Sequence, residues 1–351
     1  MNDRIRVAFA SGVRHADSYL AEFAADPRVQ LVGVADEPDA PTWMIEDGRR
    51  VADRYEVPWF DEIDAVTDPE RVDLTVVCSE PTRHARLASA AITAGVHVLV
   101  DKPVATRLED LDALIDLEAT STGTVSVVNR THAPALRRAR RWIDAGDIGL
   151  PRHVDVEFLA SGAFFSTSVE RPELVLDPSL SGGGEILNFL GYCVDAVDHL
   201  VGLPIESVHA MAGALFDAGH AGGGVEDTAI VSLGLANGVT ATATVGRVAF
   251  APGTGPTSSS IRVLGSHGHL TADDDQPAVL AFGPRGVAAH PIGGGGGAAP
   301  LRAWLGHVVD ALCAGEAPDY GLRRARTSLA AIDAAYRSLA DQAAVRPHRR
   351  P

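Results

Sequence analysis

In the first third of the chain, short continuous apolar runs alternate with stretches whose apolar residues recur every three to four positions. Residues 5–10, 31–35, 74–78, 96–100 and 125–128 read as strands, and residues 16–25, 49–55, 83–94 and 108–119 read as helices. Unbroken apolar strands separated by helices predict a parallel, doubly wound sheet. The pattern then changes. A helix at 135–145 and an alternating strand at 152–159 lead to the run Ser181-Gly182-Gly183-Gly184, which opens a long apolar helix over 185–201. Strands follow in series at 207–214, 227–235, 240–248, 260–264 and 269–272, with Asn237-Gly238 as a hairpin signal. Strands without intervening helices predict a mainly antiparallel sheet, so the second half reads as α+β. Helices at 301–312 and 323–339 close the chain, and residues 343–351 read as a frayed tail. The pattern divides at 1–128, 129–342 and 343–351.

Composition narrows the classes. The 351 residues are long enough for two cores, and the formal charge of −16 argues against nucleic acid or an anionic membrane as partner. The apolar runs are too short for a signal segment or a membrane span, and Cys78, Cys193 and Cys313 are odd in number and far apart. Neither a disulfide framework nor a metal site is expected, and a reducing cytoplasm is the expected compartment.

The candidate chemistry lies at strand ends. Asp101-Lys102-Pro103 follows the apolar run 96–100 and places a cation at the carboxyl edge of the sheet, where open α/β sheets bind ligands. Ser11-Gly12-Val13-Arg14-His15 joins the first strand to its helix, and Asp36-Glu37 ends the second strand. Strand, glycine turn, helix, strand and acid is the layout of a dinucleotide site, although only Gly12 survives of the usual glycine pattern. Arg14 is placed to supply charge to a pyrophosphate. No arginine or lysine stands close to Asp36 and Glu37 in sequence, which favours NAD over NADP. Ser79, Glu80 and Thr82 follow another strand end and are expected over the cofactor, with His84 at the next helix start. On the long apolar helix, Asn188, Tyr192 and Asp195 share one face. Phe164 and Phe165 fall in a stretch, 160–181, suited to setting specificity.

Taken in order, these motifs resemble the Gfo/Idh/MocA oxidoreductase family along nearly the whole chain. Asp101-Lys102-Pro103 is similar to its Glu-Lys-Pro signature. Asn129-Arg130 and residues 145–149 resemble its domain junction. Gly182–Gly184, Val225-Glu226-Asp227-Thr228 and residues 262–268 are similar to its later landmarks. The resemblance implies a Rossmann domain followed by a substrate domain whose open sheet forms homodimers or homotetramers. It implies hydride transfer between NAD(P) and a hydroxyl carbon of a sugar, cyclitol or related polyol. By position, Lys102 and Tyr192 would be catalytic, Tyr192 standing where a histidine is usual and Asn188 where an aspartate is common. Asp101, Lys102 and Arg130 would join the cofactor site. Arg130, His132, Phe164, Asn188 and Asp195, with Lys102 and Tyr192, would contact substrate. Two other readings stand beside this one: a redox-neutral lyase or glycosidase that oxidises its substrate only transiently, and a degenerate relative that binds nucleotide or sugar as a regulator.

Overall fold

A computed structural model describes residues 4–162, 171–249, 257–273, 278–283, 286–291 and 298–350. Six strands form the first sheet: β1 (Ile5–Ala10), β2 (Val29–Ala35), β3 (Trp59–Phe60), β4 (Leu74–Val77), β5 (His97–Val100) and β6 (Val125–Val127). All pair in parallel in the order β3-β2-β1-β4-β5-β6. The helices α1 (Ala16–Ala25), α2 (Thr42–Arg54), α3 (His84–Ala94) and α4 (Leu108–Glu118) supply the crossovers. Strands covered on both faces are predominantly apolar, and β4 is buried at all four positions, its one polar side chain, Thr75, donating to the Val66 carbonyl (2.6 Å). Helix α2 begins seven residues before the expected start because its first turn carries polar Thr42 and Glu46 beside buried Met44, which weakens the apolar repeat. The two-residue β3 is too short to leave a periodic trace.

The second sheet has eight strands: β7 (Pro151–Ser161), β8 (Ile205–Gly213), β9 (Thr228–Leu235), β10 (Thr240–Val248), β11 (Thr257–Gly265), β12 (His269–Asp273), β13 (Ala278–Gly283) and β14 (Gly286–Pro291). Their order is β14-β13-β12-β11-β7-β10-β9-β8. Every pairing is antiparallel except β7 with β10, which run parallel at its centre. Asn237, at φ +61, makes the turn between β9 and β10 as expected. Helices α5 (Pro134–Asp144), α6 (Glu185–Val201), α7 (Ala298–Cys313) and α8 (Leu322–Asp341) complete the chain. Among the described residues no helix is long and apolar enough to cross a membrane.

Helix α6 packs on β7, β9 and β10 of the second sheet and against α5 and α8, is buried along most of its length, and ends at Gly202 with φ +68. Its entry needs glycine, because a Cβ on Gly184 would stand 2.4 Å from the Glu226 carbonyl oxygen. The close approach lets Glu226 and Tyr336 take the first amides of the helix: Ile186 N donates to Glu226 Oε1 (2.9 Å) and Leu187 N to the Tyr336 hydroxyl (3.3 Å). The triglycine is thus a packing device. The tail is docked rather than frayed. Val345 bridges to Val208, and Arg350 pairs with Asp116 on α4.

Candidate functional site

The Rossmann strands deliver Ser11, Asp36, Ser79, Asp101 and Asn129 to one sheet edge, since each lies one or two residues past the end of its strand in the parallel stack. Asp101 is fully buried and anchors this edge. It accepts from the Tyr19 hydroxyl (2.6 Å) and from the Lys102 amide (2.8 Å), and its other oxygen lies 2.7 Å from His15 Nδ1. Burial opposes ionisation, yet His15 and Arg14 hold the carboxyl far below the usual carboxylate range. Asp101 therefore shapes the turn that carries Lys102.

Lys102 reaches across to α6. Its Nζ donates to the Asn188 carbonyl oxygen (2.8 Å) and to Asn188 Oδ1 (2.5 Å), and lies 5.0 Å from the centre of the Tyr192 ring. Burial, with Arg14 close by, pushes the amine pKa well below its ordinary value. Arg14 was expected to face a pyrophosphate. Instead it is buried and donates from Nη2 to the same Asn188 Oδ1 (2.7 Å). Two basic side chains thus share one neutral amide oxygen where the family resemblance places an aspartate. Asn188 Nδ2 donates to Glu185 Oε2 (2.7 Å), which passes the charge balance one turn back along α6. Burial would raise the Glu185 pKa, but Arg247, His220 and Asn188 outweigh it and hold it at about 2.

Tyr192 packs on Phe158 (ring centres 5.0 Å apart), and Arg130 lies over both rings at 5.1 and 5.9 Å. Burial pushes the phenol pKa up, so it stays protonated at neutral pH. Its hydroxyl has no hydrogen-bond partner among the described residues. Lys102, Asn188, Tyr192 and Asp195 line a single cavity. Asp195 is there as expected, but its carboxyl is taken by the Tyr320 and Ser328 hydroxyls, and burial pushes its pKa up to about 7. His132 is not with this group. It stacks on His307 and pairs with Asp319. Phe164 and Phe165 lie outside the described residues.

At the other end of the edge the absence of cations near Asp36 and Glu37 is corrected. Arg83, three residues beyond Glu80, donates to Asp36 Oδ1 (2.7 Å), to Glu37 Oε2 (3.0 Å) and to both oxygens of Glu80 (2.6 and 2.9 Å). Arg86 also pairs with Glu37. Sequence distance hid both, because β4 and β2 are neighbours only through β1. Asp36 Oδ2 accepts from Ser11 Oγ (2.7 Å). The amides of Val13 and Arg14 donate to the Cys78 carbonyl (3.2 and 3.1 Å), and a Cβ on Gly12 would stand 2.9 Å from Gly48 Cα, so the glycine turn packs backbone to backbone on α2. Val13 and Met44 are covered by Leu174 and Val175, forming a separate apolar cluster. The strap that carries these residues is tied down by Arg171 to Asp47 (2.9 and 3.1 Å) and by Thr82 Oγ1 to the Ser179 carbonyl (3.1 Å). His84 was expected over a cofactor; its two ring nitrogens lie on the carbonyls of Pro103 (2.7 Å) and Ser79 (2.8 Å), which makes it a brace between two strand ends.

Residues 5–129 match the family described as "Oxidoreductase family, NAD-binding Rossmann fold", and residues 136–271 match the GFO/IDH/MocA C-terminal domain. The chain belongs to the GFO/IDH/MocA oxidoreductase family. The uncharacterized oxidoreductase YrbE of Bacillus subtilis is 24% identical over 65% of this chain and 64% of its own length. Myo-inositol 2-dehydrogenase of Thermotoga maritima is 27% identical over 62% and 61% respectively, so these matches span less than two thirds of either relative. UDP-N-acetylglucosamine 3-dehydrogenase of Acidithiobacillus ferrooxidans is 32% identical over 42% of this chain and 44% of its own. Among solved structures, an oxidoreductase from Agrobacterium radiobacter in complex with NAD+, L-tartaric acid and magnesium superposes with a TM-score of 0.84 at 17% identity, covering 98% of both chains. The aldose-aldose oxidoreductase from Caulobacter crescentus complexed with glycerol gives 0.79 at 21% identity, covering 98% and 99%. At these identities the superpositions establish the fold.

The donor set of this family member fits a dinucleotide in kind: an acid ending β2, a serine-glycine turn before α1 and a serine ending β4. In this conformation the chain satisfies them itself. Arg83 takes the acceptors that a ribose diol would use, and the strap covers the turn. Glu185, Arg83, Arg247 and the strap residues escaped the sequence reading because each acts through a partner more than forty residues away.

Proposed function

We propose that this chain is an NAD(P)-dependent dehydrogenase acting on a secondary alcohol of a sugar, cyclitol or related polyol. The observation that carries this is the meeting of an amine of lowered pKa, Lys102, with a protonated phenol, Tyr192, on one cavity at the carboxyl edge of the Rossmann sheet. Ser11, Asp36, Ser79, Asp101 and Lys102 are the residues assigned to hold the dinucleotide, and bound nicotinamide supplies the hydride acceptor. Holding it requires Arg83 to leave Asp36 and the strap to part from Val13.

Lys102 is assigned as the proton acceptor. A neutral amine has two N–H bonds, and both are used by the two Asn188 oxygens. Its lone pair is then directed away from Asn188 and available to a substrate hydroxyl. Tyr192, kept protonated, donates a hydrogen bond to the same substrate oxygen or to a neighbouring one. Arg130 braces the Tyr192 ring and adds positive charge beside an oxygen that becomes more negative as its proton leaves.

The relatives named above are dehydrogenases or oxidoreductases, and neither a redox-neutral lyase nor a regulator gains support from them. With Arg83 and Arg86 beside Glu37, both NAD and NADP are carried forward. Self-association through the large sheet is part of the proposal, motivated by Met211 and Ile230, which pair across β8 and β9 and are both exposed. The test is a panel of polyols, sugars and cyclitols followed by reduced-nicotinamide absorbance with NAD and NADP in parallel. Substrate-dependent reduction supports the reading. Measurable dinucleotide binding with no reduction by any member of the panel overturns it.

A further inference from the structure

Away from the Lys102 cavity, three donor side chains from separate stretches of chain meet. His132 follows β6, His307 lies on α7, and Asp319 stands in the turn before α8. The two imidazoles stack with centres 4.1 Å apart and planes inclined by 26°. Trp304 packs against both rings, at 5.0 and 5.4 Å, and fixes their position from one side. His132 Nε2 lies 3.2 Å and His307 Nε2 3.6 Å from the same oxygen, Asp319 Oδ2. One ligand atom from each residue lies within 4.8 Å of the other two.

The donor atoms suit a cation. The Asp319 amide donates to His307 Nε2 (3.2 Å), a hydrogen bond that an ion bound at that nitrogen replaces. Asp319 is 63% exposed, which leaves one side of the cluster open to water as a completing ligand. Two imidazoles and one carboxylate are the donors that borderline divalent ions select, whereas magnesium and calcium prefer oxygen alone.

We propose that His132, His307 and Asp319 form a binding site for a borderline divalent transition-metal ion of the zinc type. The site is distinct from the Lys102 cavity and independent of the dehydrogenase reading. Its effect is mechanical. Asp319 directly precedes Tyr320, whose carbonyl accepts from Val127 on β6 and whose hydroxyl bonds Asp195. A metal held by His132 and Asp319 ties the segment leaving the Rossmann sheet to the turn that presents Tyr320.

The test uses the full-length, untagged chain stripped with chelator. Zinc is titrated by calorimetry, and cobalt is titrated by visible absorption. The expected result is one equivalent bound, a cobalt ligand-field band and a higher Tm with zinc. His307→Ala is expected to weaken that equivalent by about tenfold or more and to abolish the band. Should His307→Ala fail to fold by circular dichroism, Asp319→Asn at the exposed position replaces it, with the same expectation. No stoichiometric binding by the unmodified chain, or unchanged affinity in the folded variant, overturns the proposal.

Discussion

Lys102 Nζ stands 5.0 Å from the centre of the Tyr192 ring, held there by both oxygens of Asn188. The two side chains come from the end of β5 and the middle of α6, ninety residues apart in sequence. If Lys102 accepts the substrate proton, Lys102→Ala removes the base while leaving Asp36, Ser11 and Ser79 in place. We expect kcat to fall by about 10²–10⁴, while dinucleotide affinity by calorimetry, losing one contact and keeping the rest, falls by a much smaller factor. Unaltered turnover would rule out this role.

Asn188 gives that amine a neutral partner where the family resemblance places a carboxylate. Its Oδ1 is shared by Lys102 and Arg14 and carries no charge of its own. In Asn188→Asp a carboxylate stands between the two cations and favours the protonated amine, so the Lys102 pKa rises. A base must be deprotonated to act, so the acidic limb of the pH–kcat profile should move to higher pH by about one unit or more, and activity at pH 7 should drop. A profile that stays in place would show that Lys102 is not the titrating group.

The fold was legible because periodicity reports burial. The apolar runs ending at Ala10, Ala35, Val77 and Val100 had to be strands covered on both faces, and the residues that follow them had to gather at one edge. Lys102 and Tyr192 were legible for the same reason. What stayed hidden was pairing. Nothing in the local pattern says that Arg83 turns back to Asp36, that Arg14 turns inward to Asn188, or that Leu174 lies on Val13. These contacts depend on side-chain direction between segments that the sequence separates, and they decide whether the dinucleotide crevice is open.

On the proposed dinucleotide site, the strap's contacts with Val13 and Met44 oppose coenzyme binding. If the closed form dominates, apparent affinity for a dinucleotide is reduced by the fraction of molecules that are open. Leu174→Ala removes buried apolar contacts that exist only when the strap is down. We expect tighter NAD binding by calorimetry, by about tenfold for a closed form stabilised by 1.4 kcal/mol less. Trp43 packs against the same cluster, with Arg171 5.0 Å from its ring centre, so its fluorescence should change as NAD is added. Weaker or unchanged binding in Leu174→Ala would mean that the strap does not oppose the coenzyme.

Asp195 gives stability a pH dependence of definite sign. Burial raises its folded-state pKa to about 7, above its ordinary value of 3.8. The folded chain therefore holds this proton more tightly than the unfolded chain. The stabilisation is fully present below pH 4 and is lost as pH rises towards and through 7, because ionising the buried carboxyl costs up to roughly 4 kcal/mol. Asp195→Asn keeps an acceptor for the Tyr320 and Ser328 hydroxyls but cannot ionise. Relative to the unmodified chain, the variant should lose its stability disadvantage, or gain an advantage, as pH is raised from 5 to 8 in urea denaturation. A difference between the two chains that does not change over that range would place the titration elsewhere.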